Sequence, residues 1–304
     1  MKVEEQVLAF QCRDCRLFGI LALPESPGEQ VSAQGSGATR GVLIVTGGPQ
    51  YRAGSHRQFT LLARTMAECG IPVMRFDYRG MGDSEGAMRN FEHIDDDLRA
   101  AVDCFVAAVP GMREVVVWGL CDAASAALFY AHQDARIAGL VLLNPWARTA
   151  EGFAKATLKH YYRDRLLQGE LWKKILSGRF DYAAAAKSFF HLVGKAAGGA
   201  KAGASAEVPS KAPAATSSEQ APGLHDRMLD GFGRFGGKVL LIICGADLTA
   251  KEFTDMAGSS RKWRRLLDAP RVTRRDLPGA DHTFSRRIWR DQIGNWTCDW
   301  MQSW

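Results

Sequence analysis

The sequence predicts an α/β fold: a mostly parallel central sheet with helices on both faces and an inserted helical lid. Short apolar runs rich in Val, Ile and Leu recur along the chain, as in strands that are covered on both faces. Amphipathic stretches with a helical period separate several of these runs. With 304 residues, 46% of them hydrophobic, the chain can bury one large core, alone or with a lid.

The first predicted element is an antiparallel hairpin formed by residues 7–11 and 16–23, with Cys12-Arg-Asp-Cys15 at its turn. A Cys-x-x-Cys pair can bind zinc, but no second pair follows at the spacing of a zinc site. We therefore interpret the pair as part of a turn, and predict neither a metal site nor a cofactor. Residues 24–39 follow as a loop rich in Gly, Ser, Pro and Gln.

Strands and helices then alternate. The second predicted helix opens with Asp95, Asp96 and Asp97, which complement the helix dipole and are expected to be solvated. The predicted strands occupy residues 41–46, 71–76, 115–118, 137–143, 238–245 and 271–275, and the predicted helices occupy residues 57–69, 92–109 and 287–301.

The character of the chain changes between residues 146 and 236. Residues 150–192 predict helices rich in aromatic residues, Lys and Arg, and a helix around residues 224–234 leads back to the sheet. Between them, residues 195–223 form a low-complexity tract of Ala, Gly, Ser, Pro and Lys, which cannot bury enough apolar surface to order itself. The predicted organisation is therefore a core from residues 1–145 and 237–304, with a helical lid at 146–236.

The turn after the strand at 115–118 has the layout of a nucleophile elbow, in which a reactive side chain stands between a strand and a helix. The usual spelling Gly-x-Ser-x-Gly is here Gly119-x-Cys121-x-Ala123. Small residues on both sides suit a strained apex where strand and helix pass closely, and the helix N-terminus favours a thiolate. The plainer alternative is a buried structural cysteine in an ordinary turn.

Two backbone N–H groups are predicted to form an oxyanion hole beside this cysteine. One belongs to Asp122, the residue after the nucleophile. The other lies in the segment Gly-Gly-Pro-Gln at 47–50, which follows a predicted strand. Gly48 is the first choice and Gln50 the second, because the proline between them has no N–H. The carboxylate of Asp122, in contrast, is expected to raise the pKa of the neighbouring thiol.

Asp247 and His282 complete a candidate catalytic triad with Cys121. Each of the three follows a predicted strand, so their side chains are expected to meet at one edge of the sheet. Their order along the chain, nucleophile, acid and histidine, is that of α/β-hydrolase triads. The spacing Asp77-x-Arg79-Gly-x-Gly-x-Ser after another strand points the same way. We expect those two charged residues to tie loops together, with substrate contact as the alternative.

The whole chain resembles the α/β-hydrolase superfamily. Three segments, GGPQYRAGSHR at 47–57, WGLCDA at 118–123 and DLTAKEF at 247–253, more narrowly resemble one bacterial family. This is the first of the two hydrolases associated with the exosortase A system, encoded among exopolysaccharide and protein-sorting genes. The resemblance covers the core and residues 159–181, and the low-complexity tract departs from it. It implies a cytoplasmic hydrolase whose substrate is unsettled.

Charge and composition limit the substrates and binding partners that we expect for this protein. The net charge of +6 is compatible with anionic substrates, an acidic carrier protein or a membrane surface. The sequence has no stripe of Lys and Arg interleaved with aromatic residues, so nucleic-acid binding is not predicted. No apolar run reaches the roughly 20 residues of a membrane span, and the N-terminus lacks the apolar core of a signal peptide. The odd cysteine count, 7, favours reduced thiols. We therefore expect a cytoplasmic protein acting on a small-molecule or carrier-bound acyl substrate.

The favoured function is cleavage or transfer of an acyl group from an ester or thioester through an acyl-thioenzyme. A thiolate is a good nucleophile and a good leaving group, which suits activated acyl groups better than amides. The alternative is a non-catalytic scaffold or carrier-binding protein that keeps a hydrolase fold. The basic, aromatic-rich lid is the feature that suggests this alternative.

Overall fold

In a computed structural model, residues 3–24, 40–48, 50–147 and 223–304 are described. The chain divides into two compact units, one made of Met1–Ala147 and His225–Trp304 and the other of Arg148–Leu224. The lid helices predicted within 150–192 and nearly all of the low-complexity tract fall outside the described residues, as does most of the loop at 24–39. The predicted lid boundaries therefore stay a prediction.

One eight-stranded sheet runs through the first unit in the order β1-β2-β4-β3-β5-β6-β7-β8. The pairs β1–β2 and β2–β4 are antiparallel, and all pairs among β3 to β8 are parallel. The mostly parallel sheet predicted from the apolar runs is thus confirmed. Its strands are β1 (Val3–Cys12), β2 (Cys15–Pro24), β3 (Arg40–Val45), β4 (Val73–Asp77), β5 (Glu114–Leu120), β6 (Ile137–Leu143), β7 (Lys238–Cys244) and β8 (Val272–Leu277).

The first two strands form the predicted hairpin. Cys12 lies opposite Cys15 in the register of the pair, which leaves Arg13 and Asp14 as the turn. Arg13 adopts a left-handed conformation with φ of 53°, as tight hairpin turns require. The Cys-x-x-Cys segment therefore forms the turn that we predicted, and both of its cysteines are free thiols.

Seven α-helices flank the sheet in the described part of the chain, and none of them is long and apolar enough to span a membrane. The two that the sequence analysis missed, α5 and α6, begin at N-caps: Asp247 accepts from the N–H of Thr249 at 2.9 Å, and Ser260 accepts from that of Trp263 at 3.4 Å. The helices are α1 (Gln58–Glu68), α2 (Asp95–Ala108), α3 (Asp122–Tyr130), α4 (Leu224–Arg234), α5 (Leu248–Ser259), α6 (Arg261–Leu267) and α7 (Arg287–Gln302).

The central strands are buried because both of their faces are covered. Val116 and Trp118 of β5 belong to a core cluster that includes side chains of α1 and α7. On the other face, a Cβ added at Gly41 of β3 would lie 2.6 Å from the ring of Phe105 in α2. This double coverage explains why the central strands are continuous apolar runs instead of alternating ones.

Two ion pairs anchor the loop that follows β4. The guanidinium of Arg79 donates to both carboxylate oxygens of Asp97 at 2.9 and 2.7 Å, and Arg52 donates to Asp77 through its backbone N–H at 2.6 Å and through its side chain. The structural role predicted for Asp77 and Arg79 agrees with these contacts. The expectation that Asp97 is solvated was wrong, because the loop covers the start of α2 and leaves that side chain 0% exposed.

The chain leaves the first unit after Ala147 and returns to it at His225, and these two residues touch. Nε2 of His225 lies 2.7 Å from the carbonyl oxygen of Ala147. Helix α4 then packs on α3 so closely that a Cβ at Gly231 would meet the carbonyl oxygen of Leu128 at 2.1 Å. Helix α4, which the sequence analysis grouped with the lid, is in this structure packed on the core.

Candidate active site

Cys121 stands at the apex of the turn between β5 and α3, in a strained conformation with φ of 63° and ψ of −123°. Its N–H donates to the carbonyl oxygen of Leu143 at 2.9 Å, and its own carbonyl oxygen accepts from the N–H of Trp146 at 3.0 Å. These bonds to the end of β6 and the residues beyond it hold the strained residue in place. A Cβ at Gly119 would lie 2.7 Å from the backbone of Ala123, so the elbow requires glycine there.

His282 and Asp247 form the second half of the site. Nδ1 of His282 lies 2.8 Å from Oδ2 of Asp247, whose side chain is 4% exposed. Because the carboxylate accepts, Nδ1 carries the proton and Nε2 is the nitrogen that takes a proton from a nucleophile. The Asp247 carboxylate also accepts from the N–H of Thr249, which fixes its orientation.

One cavity of about 340 Å³ brings the predicted residues together. Cys121, Asp122, His282, Gly48 and Gln50 all line it, and Asp247 supports His282 from behind. The sequence analysis missed its aromatic wall, since apolar side chains at helical spacing resemble core residues before the fold is known. The remaining lining residues are Gly47, Phe59, Phe91, Leu120 and Trp146.

The carboxylate of Asp122 lies between the elbow and the loop after β3. Oδ2 accepts from the N–H of Gly48 at 2.8 Å, and Oδ1 accepts from the N–H of Ala123 at 2.9 Å. A Cβ at Gly47 would lie 2.2 Å from Oδ1, so the first glycine of the pair makes room for this carboxylate. The structure therefore shows the predicted first oxyanion donor, the Gly48 N–H, bonded to Asp122.

Burial sets the acidity of this carboxylate. It raises the pKa of Asp122, and the backbone N–H groups of Gly48, Ala123 and Asp122 itself, together with the charge of His282, act in the opposite direction. Asp122 thus differs from the buried Asp97, which has a guanidinium as its partner. The sequence analysis anticipated the negative charge beside Cys121 but not its bond to Gly48.

The side chain of Gln50 also faces the cavity. Its Oε1 is buried and has no hydrogen-bond partner among the described residues. A buried acceptor that is left without a donor is costly, so a ligand group with an N–H or O–H would be stabilised there. The sequence analysis had chosen Gln50 for its backbone N–H, and its side-chain role was missed.

The strand order, with Cys121 after β5, Asp247 after β7 and His282 after β8, defines this protein as an α/β hydrolase. Solved structures share the fold. The esterase Pf2001 of Pyrococcus furiosus matches with a TM-score of 0.62 at 15% identity, over 99% of this chain and 93% of that one. Esterase Est1E of Butyrivibrio proteoclasticus, solved with ferulic acid, matches with a TM-score of 0.57 at 13% identity, over 97% and 98%.

The family follows from the sequence. The family model described as "Serine aminopeptidase, S33" matches residues 38–189, half of the chain, and the protein belongs to this family of hydrolases. The comparison with curated proteins finds no match. The family description names serine, whereas this chain has Cys121 at the elbow. Membership of the exosortase-associated family stays a prediction.

Proposed function

We propose that this hydrolase uses Cys121 as its nucleophile and cleaves ester or thioester bonds through an acyl-thioenzyme. The observation that carries the proposal is the position of Cys121, which shares one cavity with a histidine held by Asp247. The triad of Cys121, His282 and Asp247 then has the roles of nucleophile, base and orienting acid.

The reaction begins when Nε2 of His282 takes the thiol proton of Cys121. The thiolate attacks the acyl carbonyl carbon, and the oxyanion that forms is bound by the backbone N–H of Asp122 and that of Gly48 or Gln50. Collapse of this intermediate expels an alcohol or thiol, which receives the proton from His282. Water, activated by the same imidazole, then releases the acid and restores the thiol. An alcohol in place of water would give acyl transfer.

The cavity supports an acyl substrate. Phe59, Phe91 and Trp146 form an apolar wall that suits a hydrocarbon or aromatic acyl group, and the polar groups lie at the reacting end. The net charge of +6 is compatible with a substrate carried on an acidic protein or on coenzyme A. We extend the proposal to such carrier-bound acyl groups.

On the resemblance to the exosortase-associated hydrolases, we extend the proposal to an activity in the cytoplasm of a bacterium that makes exopolysaccharide. None of the seven cysteines, all of which lie in the described part of the chain, forms a disulfide, which fits a reducing compartment.

The bond from the Gly48 N–H to Asp122 favours a second candidate. An oxyanion hole that is filled by the protein's own carboxylate is what a non-catalytic scaffold or carrier-binding protein on a hydrolase fold would tolerate. In that case Cys121 would have no special reactivity, and carrier binding would not depend on the triad.

Turnover of p-nitrophenyl butyrate and butyryl-coenzyme A by the full chain separates the two. Cys121→Ala and His282→Ala are expected to lower kcat/KM by at least about 10³-fold, because both act in the same step. Cys69→Ala, which removes an exposed thiol at the end of α1, is the matched control and should retain full turnover. Unchanged turnover in Cys121→Ala would rule out the proposal.

Iodoacetamide labelling followed by digestion and mass analysis gives an independent readout. A catalytic thiol should be alkylated faster than the exposed Cys69, and His282→Ala should abolish that difference. Uniform, slow labelling of all cysteines would favour the scaffold.

A further inference from the structure

The Asp122 carboxylate lies where a substrate oxyanion would be bound. Oδ2 accepts from the N–H of Gly48 at 2.8 Å, and the backbone N–H of Asp122 also acts on the same carboxylate. These are the two donors that the proposed mechanism assigns to the oxyanion. The site is therefore already occupied by an anion from the protein itself.

We infer that Asp122 is a self-ligand of the oxyanion hole: its carboxylate holds the Gly48 N–H in the resting enzyme, withdraws when an acyl carbonyl arrives, and competes with carboxylate products for the same position. The inference rests on the proposed function. It adds a specificity-determining residue that favours neutral acyl groups over free carboxylates.

The hydrogen bonds that hold this carboxylate can be released. Its hydrogen-bond partners are backbone N–H groups, and within residues 3–24, 40–48, 50–147 and 223–304 no Arg or Lys forms an ion pair with it. Asp97, in contrast, accepts from both Nε and Nη2 of Arg79 and is completely buried. Asp122 also lines the 340 Å³ cavity, so its carboxylate borders space that it does not fill.

The carboxylate and an oxyanion cannot share the hole. Both are anions, and two like charges about 3 Å apart in a partly buried site repel each other strongly. The tight fit at Gly47, where a Cβ would meet Oδ1 at 2.2 Å, fixes where the carboxylate rests when the hole contains no substrate. Binding of the acyl carbonyl must therefore displace Asp122.

Hydrolysis ends with a carboxylate product in the same place. That product makes the same hydrogen bond to Gly48 as the side chain of Asp122, and return of the side chain replaces it. Without Asp122, free carboxylates should occupy the vacated hole and inhibit the enzyme.

The test compares Asp122→Ala with the wild-type chain in p-nitrophenyl butyrate turnover, with sodium acetate as inhibitor and sodium chloride at equal ionic strength as control. We expect kcat/KM to rise about tenfold, the factor for removing one competing charge-assisted hydrogen bond. Acetate should inhibit the variant competitively at concentrations at least about tenfold lower than those required for the wild type. Asp122→Asn keeps the shape and an acceptor oxygen, and should fall between the two.

A loss of turnover in Asp122→Ala that acetate restores would overturn the inference, because Asp122 would then be a fixed support of the hole. Equal acetate sensitivity in variant and wild type would also overturn it. Circular dichroism melts check folding, and Asp122→Asn carries the same comparison if Asp122→Ala does not fold. Failure of the proposed function is seen separately, as ester turnover that survives Cys121→Ala.

Discussion

Helix α3 has a carboxylate near each of its ends, partly buried at the first and buried at the second, and the two are held in opposite ways. At the N-terminal end, Asp122 is bonded to backbone N–H groups, and burial raises its pKa. Beyond the C-terminal end, burial would raise the pKa of Asp134, but hydrogen bonds from Arg136 and Tyr130 lower it to about 2. The first carboxylate is poorly compensated and the second is well compensated.

The backbone differs in the same way. At Cys121 it is strained, with φ of 63°, whereas Ala131, the residue at the other end of α3, has φ of −54° in the ordinary right-handed region. The N-terminal end of the helix therefore has a strained backbone and a poorly compensated charge, whereas the C-terminal end has an unstrained backbone and a well-compensated one. Substitutions matched across the helix can break or sharpen this contrast.

The largest effect is expected from glycine and alanine at the two ends. Cys121→Gly and Cys121→Ala should both lower ester turnover by at least about 10³-fold, because the proposed nucleophile is lost. Cys121→Gly should nevertheless be more stable than Cys121→Ala by about 1 kcal/mol, since glycine tolerates a positive φ. Ala131→Gly should retain turnover and lose about 1 kcal/mol of unfolding free energy. Urea denaturation measures both differences in unfolding free energy. If glycine were the more stable residue at both positions 121 and 131, or alanine at both, the contrast would be contradicted.

The next largest effect lies where α4 packs on the second half of α3. Gly231→Ala should lower the unfolding free energy by about 3 kcal/mol, because its Cβ would lie 2.1 Å from the carbonyl oxygen of Leu128. Gly233→Ala is the matched control: its nearest neighbour would be 3.9 Å away, and alanine should stabilise the helix by about 1 kcal/mol. Equal stability of the two variants would show that α4 does not press on α3.

Asp134→Asn should cost about 2 kcal/mol at pH 7, estimated from the fall in pKa from 3.8 to about 2. A carboxylate whose pKa is lowered by folding stabilises the native state above pH 3.8, and this contribution is lost as the pH falls through about 2. Denaturation curves of variant and wild type should therefore converge between these pH values. A difference that stays constant down to pH 2 would assign the loss to packing instead of charge.

Asp122→Asn should change the stability in the direction opposite to Asp134→Asn, and by the smallest amount. Because burial raises the pKa of Asp122 above 3.8, its ionised form disfavours the native state at neutral pH. The variant should melt slightly above the wild type at pH 7, and the difference in melting temperature should disappear as the pH falls below 3.8, where both states bind the proton. If the variant melted below the wild type at pH 7, the Asp122 carboxylate would stabilise the native state as Asp134 does, and the contrast between the two ends of α3 would be wrong.

Sequence patterns captured the parts of this molecule that depend on local order. The buried strands were recognisable because both of their faces are covered, and Cys121, Asp247 and His282 were recognisable because each follows such a strand. The structure places all three around the predicted edge of the sheet, although their catalytic roles stay a prediction. Helices α5 and α6 were missed because of their N-caps: Asp247 had been interpreted only as a triad residue, and Ser260 had not been considered.

Partners that are distant in sequence could not be predicted. The hydrogen bond between Gly48 and Asp122 joins residues 74 positions apart, and the ion pair that buries Asp97 comes from a loop before its helix. Phe91 was also missed, since nothing in its neighbourhood indicates that a short turn before α2 reaches the cavity. Each of these contacts needs the folded sheet to bring two loops together.

The contact between Ala147 and His225 determines how the chain can vary. Residues 148–224 begin and end at points joined by a hydrogen bond of 2.7 Å, so the sheet imposes no span that the intervening segment must bridge. The entropy of closing such a loop grows only slowly with its length. Whole modules could therefore be added at this junction, trimmed or exchanged between relatives, while the strands on either side keep their register.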